Sequence, residues 1–349
     1  MKNHFLRVGG IGAGGIFNNA HMPGWKKVAD RARVVAVCDV DRARAEKVAE
    51  EHDIEEVFTD YREMLTTAKL DVVDICTPNK FHTPAALAAL TAGCHVLCEK
   101  PLATTPAEIR SLIRARNRSK RLLMTAQHMR FTSEGTALKK FITSGALGDI
   151  YYARAWAIRR RLLPIAPTFI DHALSGGGPC LDIGVHCLDI AMWLMGNPEP
   201  MSVTGVSLTK MAKRNDVRGA WGEWDRKRFN VEDFAAGFVR FKGGATLALE
   251  SSWLLNMKEQ EIFRATIFGT KAGAEFPSCE FFTESNRTLV DGKLAYLPKS
   301  SGHENEIVAF VDAIVGRKPS PVPAEQSLNV IRILDGIYRS QKTEREVKV

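Results

Sequence analysis

The stretch of residues 71–101 constrains the fold more than any other part of the chain. It begins with residues 72–76, a short apolar run rich in β-branched side chains, which is typical of a strand buried on both faces of a parallel sheet. An alanine-rich helical segment follows, for which Thr83 fits the N-cap and Gly93 the end. Residues 95–98 have the pattern of the next strand. The stretch therefore predicts a complete strand–helix–strand unit.

Polar residues follow both of these strands at their carboxyl ends. Thr77 and Asn79 come after the first strand, and Glu99 and Lys100 come after the second. Open parallel sheets bind their ligands in the crevice outside the carboxyl ends of the strands. We therefore expect the functional site at this edge of the sheet.

A glycine cluster at residues 12–16 separates the first predicted strand, residues 5–11, from a helix. Such a cluster lets the backbone approach a pyrophosphate, to which the helix N-terminus presents N–H groups, although a purely structural turn is the alternative. The regular G-x-G-x-x-G spacing fits from Gly10, but that register places its first glycine inside the strand. We prefer the register that starts at Gly12. It puts Phe17 where a small residue normally lets helix and strand pack closely, and it predicts a looser start of the helix.

Asp39 follows the second predicted strand, 27 residues after Gly12. A carboxylate at such a position accepts hydrogen bonds from the adenosine ribose of a dinucleotide. Asp39 also fits the N-cap of a helix predicted at residues 42–51, and the two roles are compatible. Its charge disfavours a 2′-phosphate, whereas Arg42 and Arg44 are able to attract one. The predicted cofactor is NAD, with NADP as the alternative.

The strand–helix alternation continues to Gln127 and then stops. The predicted fold class is α/β, with a doubly wound parallel sheet in a dinucleotide-binding domain, residues 1–127. Residues 128–349 are predicted to form an α+β domain for substrate binding and oligomerisation, with a large, mostly antiparallel open sheet. Its predicted strands are residues 150–158, 201–208, 234–241, 245–253 and 261–268, and Lys242-Gly243-Gly244 is a predicted hairpin turn.

The second domain contains a glycine loop, residues 176–178, before an apolar helical segment. Asp182 and His186 in that segment are four residues apart, so one helical turn places them on the same side. A substrate held between the domains would meet both of them and Lys100. Taken singly, each residue also has an ordinary explanation, as a helix cap, a core histidine and a surface lysine.

The net charge of +8 raises the question of an anionic partner. Seven basic residues crowd the polar segment 210–228, which is typical of a solvated loop and also compatible with attraction for a negatively charged cofactor or substrate. The sequence has no nucleic-acid-binding motif and no aromatic–basic interleaving. No nucleic acid partner is therefore expected.

The cysteines and the hydropathy pattern indicate the compartment. Seven scattered cysteines favour a reduced, cytoplasmic chain over a disulfide framework. Cys94 and Cys98 are too isolated from other ligands to suggest zinc, and no metal site is predicted. No run of 18 uncharged apolar residues exists, and residues 1–4 lead into a strand without a signal-peptide core. We expect a cytoplasmic protein without a membrane partner.

Together these motifs resemble the Gfo/Idh/MocA oxidoreductases, the family of glucose–fructose oxidoreductase and inositol dehydrogenase. The residues that carry the resemblance are Gly12-Ala13-Gly14-Gly15-Ile16, Cys38-Asp39, Thr77-Pro78-Asn79 with His82, Glu99-Lys100-Pro101, Gln127-His128-Met129-Arg130-Phe131, Gly145-x-Leu147-Gly148-Asp149-Ile150 and Gly176-Gly177-Gly178-x-x-x-Asp182-x-Gly184-x-His186-x-x-Asp189. The resemblance covers nearly the whole chain. It implies an N-terminal Rossmann domain and a homodimer or homotetramer.

The resemblance also implies roles for individual residues. Those expected to bind the dinucleotide are Gly12, Gly14, Gly15, Ile16, Asp39, Thr77, Pro78, Asn79, His82, Glu99 and Lys100. Lys100 is expected near the nicotinamide ribose and the substrate hydroxyl. His186 is expected to act as the acid/base, and Asp182 to hold the reacting hydroxyl or the histidine.

Three further residues are candidates for substrate contacts, with a core or surface role equally open: Arg130, Trp156 and Arg159. Phe17 and the basic segment 210–228 are departures from the family pattern, and the segment is expected to reshape the substrate mouth.

The expected reaction is hydride transfer between a nicotinamide cofactor and a secondary alcohol or ketone of a sugar, a polyol or a derivative. Removing hydride from an alcohol carbon requires removal of the hydroxyl proton, which a neutral imidazole accepts, while an ammonium stabilises the developing alkoxide. One alternative is a glycoside hydrolase that retains NAD on the same fold. The other is a non-catalytic dinucleotide-binding regulator, which typically loses the lysine or the histidine that this chain keeps.

Overall fold

A computed structural model describes residues 5–349. Residues 1–4, on which the signal-peptide expectation rests, lie outside the described part. The chain forms two compact units, one made of the chain up to Phe131 with Ser300–Leu328, the other of Thr132–Lys299 with Asn329–Val349. The first break lies four residues after the predicted boundary at residue 127. Residues 300–328, placed in the second domain by the sequence-based division, pack in the first unit.

The strands are numbered in chain order: β1 Leu6–Ile11, β2 Ala32–Cys38, β3 Glu56–Phe58, β4 Val72–Ile75, β5 His95–Cys98, β6 Leu123–Thr125, β7 Ile150–Arg159, β8 Pro200–Leu208, β9 Phe234–Phe241, β10 Thr246–Ser252, β11 Glu261–Gly269, β12 Ala272–Phe276, β13 Glu280–Ser285, β14 Thr288–Lys293 and β15 Val347–Lys348. The first six form one parallel sheet in the order β3-β2-β1-β4-β5-β6. This order reverses between β1 and β4, which confirms the predicted doubly wound sheet.

The α-helices are α1 Met22–Lys27, α2 Arg42–His52, α3 Tyr61–Thr67, α4 His82–Thr91, α5 Pro106–Ser119, α6 Ser133–Thr143, α7 Pro167–Ile170, α8 His172–Ser175, α9 Val185–Leu194, α10 Gly302–Val315 and α11 Ala324–Thr343. In addition, π-helical turns span Ile16–His21 and Cys180–Gly184, and 3₁₀ turns span Asn79–Phe81 and His128–Phe131. Among residues 5–349, no helix combines the length and the apolar character needed to cross a membrane.

The second unit contains a nine-stranded sheet in the order β14-β13-β12-β11-β7-β10-β9-β8-β15. Only β7 and β10 pair in parallel, so the predicted mostly antiparallel sheet is confirmed. The predicted hairpin turn is also present, because Gly243 and Gly244 both have positive φ, +93° and +92°. The sequence analysis missed β12, β13, β14 and β15, whose short segments carry charges among their apolar residues.

The organising strand–helix–strand stretch is present as β4, α4 and β5. Gly93, with φ of +85°, follows the last helical turn as predicted. Thr83, however, is not the N-cap, because the helix already begins at His82 and continues from the 3₁₀ turn Asn79–Phe81. The 3₁₀ turn sets the helical direction before Thr83 is reached, so a capping side chain is not required there.

Gly10 lies inside β1 and leaves the space that Phe17 needs. A Cβ on Gly10 would lie 2.3 Å from Phe17 Cζ, and Phe17 is fully buried. The small residue for this close contact therefore comes from the strand instead of the helix. Gly12 stands at the turn itself, with φ of +95°, as the preferred register requires. The helix begins with the π-helical turn Ile16–His21, which is wider than an α-helical one.

Replacing Gly10 by alanine is expected to destabilise the protein by about 1–3 kcal/mol, because the added methyl group overlaps a ring that has no free space to enter. Gly14 provides the matched control, since a Cβ there would meet no heavy atom within 4 Å. Gly14→Ala should change stability by less than about 0.5 kcal/mol. Urea denaturation of both variants measures the difference. Equal stability of the two variants would contradict the packing of Phe17 against Gly10.

Helix α10 completes the core of the first unit. Its residues Ile307, Phe310 and Val311 are buried among side chains of the first 126 residues. The backbone of α1 approaches it closely, because a Cβ on Gly24 would lie 2.7 Å from Ile307 Cδ1. Burial of this apolar face explains why the segment Ser300–Leu328 belongs to the first unit although the second unit precedes it in the chain.

Candidate active site

The glycine turn and Asp39 form one connected structure. Asp39 is buried, and its Oδ2 accepts a hydrogen bond of 2.9 Å from the backbone N–H of Ala13. Its Oδ1 accepts another of 2.9 Å from the N–H of Asp41. The helix cap is Asp41, which accepts a hydrogen bond from the N–H of Arg44, so the capping role considered for Asp39 falls to its neighbour. The Asp39 carboxylate is thus fixed against the turn.

The turn fits the pyrophosphate of a dinucleotide. Gly14 is partly exposed and Gly15 is exposed. No heavy atom lies within 4 Å of a Cβ placed on Gly14. Ile16 is 47% exposed at the start of the helical segment, where backbone N–H groups have no intrahelical partners. An anion can therefore approach the backbone here without displacing a side chain. Gly12, Gly14, Gly15 and Ile16 are the residues of this chain that would hold it.

His82 ties the ends of β4 and β5 together. Its Nδ1 lies 2.7 Å from the carbonyl oxygen of Pro101, and its Nε2 lies 2.8 Å from that of Thr77. Burial lowers the pKa of His82, although both carbonyl contacts act in the opposite direction. Thr77, Pro78 and Asn79 are partly exposed beside it. The histidine therefore fixes the loop whose residues were predicted to contact the dinucleotide.

Lys100 is anchored through a chain of buried polar groups that the sequence analysis did not find. Its backbone N–H donates 2.9 Å to Glu99 Oε2, and Glu99 Oε1 lies 3.1 Å from His21 Nε2. His21 Nδ1 lies 2.9 Å from Asp74 Oδ2, which also accepts 2.7 Å from the indole N–H of Trp25. A signal for this network exists in the sequence, because Asp74 is a charged residue in an otherwise apolar strand.

The charges in this network stabilise one another. Burial lowers the pKa of His21, but the negative charge of Asp74, the interaction with Cys76 and the hydrogen bonds to both together outweigh it and hold the pKa well above its ordinary value. Burial likewise favours a neutral Glu99, but its hydrogen bond to His21 and the positive charge there lower its pKa to about 2. Glu99 therefore remains a carboxylate beside Lys100 across the physiological pH range.

In the second unit, Glu232 organises the glycine loop. Its carboxylate is buried and accepts hydrogen bonds from the backbone N–H groups of Gly178, at 2.9 Å, and Cys180, at 3.1 Å. The hydroxyl of Tyr338 donates a third, at 2.9 Å. Only glycine fits at residue 178, because a Cβ there would lie 2.1 Å from the carbonyl oxygen of Glu232. Glu232 thus fixes the start of the helical segment that follows the loop.

Asp182 and His186 lie in that segment and are accessible. Of the thirteen residues from Cys180 to Met192, all but these two are buried, and both are partly exposed. Asp182 Oδ2 accepts a hydrogen bond of 3.2 Å from the indole N–H of the fully buried Trp253. The ring of His186 meets the edge of Phe263, with centroids 6.2 Å apart. The predicted pair is therefore the polar, accessible part of an apolar helical segment.

The three candidates for substrate contacts have different surroundings. Arg130 is 3% exposed and donates to the side-chain oxygen of Gln326, which indicates a structural role within the first unit. Arg159 is partly exposed, donates 2.6 Å to Glu261 and stacks on the ring of Trp221.

Trp156 lies on the sheet face opposite to His186. Ala157 pairs with Phe263 across β7 and β11, so these two side chains share the face that His186 contacts. Because side chains alternate along a strand, Trp156 points to the other face. Its indole N–H donates 3.2 Å to Glu250 on that face. The structure thus does not bring Trp156 together with Asp182 and His186.

The basic segment 210–228 lies in the connection between β8 and β9. Its arginines pair with acidic side chains: Arg214 with Asp216, Arg218 and Arg226 with Glu223, and Arg228 with Asp171. Asp233 fixes its start by accepting hydrogen bonds from the N–H groups of Lys210, Met211 and Ala212. The solvated-loop interpretation agrees with this arrangement, in which much of the local positive charge is neutralised.

Comparison with known proteins accounts for both units. Residues 6–127 match the family model described as an oxidoreductase family with an NAD-binding Rossmann fold, and residues 136–275 match the GFO/IDH/MocA C-terminal domain. The chain belongs to the Gfo/Idh/MocA family. It is therefore an oxidoreductase whose cofactor is NAD, as the sequence predicted.

Two relatives show the extent of the similarity. D-glucoside 3-dehydrogenase of Escherichia coli is 35% identical over 349 residues, which are 100% of this chain and 99% of the relative. Levoglucosan dehydrogenase of Pseudarthrobacter phenanthrenivorans is 31% identical over 275 residues, 72% of this chain and 68% of the relative. A solved structure of levoglucosan dehydrogenase with NADH and levoglucosan superposes with a TM-score of 0.86 at 24% identity and covers 99% of this chain and 100% of that one. This structure supports the same fold.

Proposed function

We propose that the protein oxidises a secondary ring hydroxyl of a sugar or glycoside to a ketone and transfers the hydride to NAD. The observation that carries the proposal is the accessible pair Asp182 and His186 on an otherwise buried helical segment. The full-length similarity to a D-glucoside 3-dehydrogenase supports glucosides as the substrate class.

The proposed mechanism assigns the proton to His186. As the carbon–hydrogen bond breaks, the substrate hydroxyl must lose its proton, and the imidazole of His186 accepts it. Asp182 is oriented by the hydrogen bond that its Oδ2 accepts from the indole N–H of Trp253. It accepts a further hydrogen bond from the substrate hydroxyl or from the histidine. The ammonium of Lys100 stabilises the negative charge that develops on the substrate oxygen. NAD, when bound, accepts the hydride.

A substrate screen tests the proposal. Purified protein with NAD is given methyl glucosides, free sugars, levoglucosan and inositols, and NADH formation is followed by absorbance. We expect turnover with at least one glucoside and a ketone at a ring carbon of the product. Cleavage of the glycosidic bond without net NADH would instead indicate the NAD-retaining hydrolase, and binding of NAD without turnover of any sugar would indicate a regulator.

Cofactor preference is expected to depend on Asp39. We predict that NAD binds more tightly than NADP, since the buried carboxylate repels a 2′-phosphate. In Asp39→Asn the amide oxygen is still able to accept a hydrogen bond from the N–H of Ala13. Arg44 loses one of its two charged partners, Asp39 at 3.3 Å, and keeps Asp41 at 3.2 Å. The preference should therefore narrow in Asp39→Asn.

Calorimetric titration of both cofactors measures this change. Arg116→Ala is the control and should leave the preference unchanged, because Arg116 pairs with Glu325 and not with Asp39. A clear preference of the unmutated protein for NADP would refute the assignment.

A further inference from the structure

A cluster of potential metal ligands adjoins the His21–Glu99 hydrogen bond, within the first unit. One donor atom of each of His21, His303 and Glu306 lies within 4.8 Å of the other two. His303 Nδ1 is 3.2 Å from Glu306 Oε1, and the rings of His21 and His303 are 6.0 Å apart between centroids. Four atoms in tetrahedral positions around zinc, at bond lengths of about 2.0–2.1 Å, are about 3.3 Å from one another. Small side-chain rotations would bring the three donors to that spacing.

His21 is oriented as a metal-binding histidine is. Its Nδ1 is held by Asp74 at 2.9 Å, and Asp74 is itself held by Trp25. In metalloproteins a carboxylate on one ring nitrogen fixes the orientation of the ring and directs the other nitrogen to the cation. Here the other nitrogen, Nε2, shares a proton with Glu99 Oε1 at 3.1 Å. Zinc would bind Nε2 in place of that proton, which the site would release on binding.

Glu306 supplies an independent indication of a ligand. Its side chain is fully buried, and its Oε2 has no hydrogen-bond partner. A buried carboxylate oxygen without a partner is costly, and it requires an explanation. A cation at this oxygen would remove the cost.

The remaining surroundings allow an ion to enter. The side chain of His303 is 26% exposed, which provides a route from solvent to the cluster. The ring of His128 stacks on that of His303, with centroids 4.0 Å apart, and restricts its movement.

We propose that His21, His303 and Glu306 form a binding site for a divalent transition-metal ion, with water as the fourth ligand, and that zinc is the ion best suited to it. Two imidazoles, one carboxylate and a water molecule make a tetrahedral nitrogen–oxygen donor set, whereas magnesium and calcium prefer sites made of oxygen alone. The sequence predicted no metal site. Bound zinc would join the start of α10 to the first helical segment, which contains His21.

Zinc titration tests the proposal without relying on the proposed reaction. Tag-free protein is freed of metal with a chelator and titrated calorimetrically with zinc chloride in the absence of NAD and sugar. We expect one equivalent of zinc per chain and a higher melting temperature. Glu306→Gln and His303→Ala should each weaken binding by at least about 10–100-fold. His172→Ala, which changes an exposed histidine of the second unit, should bind zinc as the unmutated protein does.

X-ray absorption of the zinc-loaded protein identifies the ligands. We expect nitrogen and oxygen at about 2.0–2.1 Å, without sulfur at about 2.3 Å. Failure to bind an equivalent of zinc, a sulfur shell, or undiminished binding by folded Glu306→Gln and His303→Ala would overturn the proposal. If His303→Ala does not fold, Glu306→Gln decides alone, since it keeps the size of the side chain. None of these outcomes depends on dehydrogenase activity.

Discussion

Replacing His186 by alanine is expected to lower kcat by about 10²–10⁴-fold, the range for a positioned acid–base group. Dinucleotide binding should persist, because the glycine turn and Asp39 belong to the other unit. Steady-state kinetics, with NAD binding measured by calorimetry, provides these quantities.

Lys100→Ala is expected to lower kcat within the same range, and the losses should not add in the double variant. If both residues act on one hydroxyl, removing the second costs less once the first is missing. Arg159→Ala is a suitable comparison, since Arg159 already pairs with Glu261. A folded His186→Ala variant with undiminished kcat would rule out the catalytic assignment, as would a loss confined to the melting temperature.

Replacing Glu232 by alanine is expected to destabilise the protein by about 3–5 kcal/mol. The substitution leaves the N–H groups of Gly178 and Cys180 and the hydroxyl of Tyr338 buried without their acceptor, and each unsatisfied group costs about 1–3 kcal/mol. The loss should also disorder the loop that precedes Asp182. Activity is therefore expected to fall along with stability.

A graded series of variants distinguishes the specific role of the Glu232 carboxylate from a general effect of mutation. Tyr338→Phe removes a single hydrogen bond and should lower the free energy of unfolding by about 1 kcal/mol. Glu232→Gln keeps one acceptor oxygen, so its loss of stability should lie between those of Tyr338→Phe and Glu232→Ala. Urea midpoints give the order. Equal stability of Glu232→Ala and Tyr338→Phe would contradict the role of the carboxylate in holding the loop.

The sequence by itself determined the elements whose pattern is local. The apolar run of β4, the alanine-rich α4 and Gly93 specify a strand–helix–strand unit from residues that are neighbours in the chain. Gly12 was identifiable as the turn glycine because it directly follows the predicted strand. Its φ of +95° is a conformation that glycine adopts at little cost. Asp182 and His186 were recognisable as the polar positions of an apolar segment, and both are partly exposed there. Their action as a pair stays a prediction.

Tertiary structure decided what depends on distant parts of the chain. Phe17 looked like a departure from the motif until packing showed that Gly10 accommodates its ring. The side of the sheet on which Trp156 lies depends on which face α9 covers, and the periodicity of one strand does not contain that information.

The cluster around His21 is the clearest case. Its members come from the first helical segment, from β4, from the end of β5 and from α10, which lies more than 280 residues after His21. His303 and Glu306 are one helical turn apart on α10, but no spacing in the sequence relates them to His21. The residues meet because burial of the apolar face of α10 brings His303 and Glu306 into the first unit. Their proximity to His21 is therefore a consequence of tertiary packing, which no local sequence pattern shows.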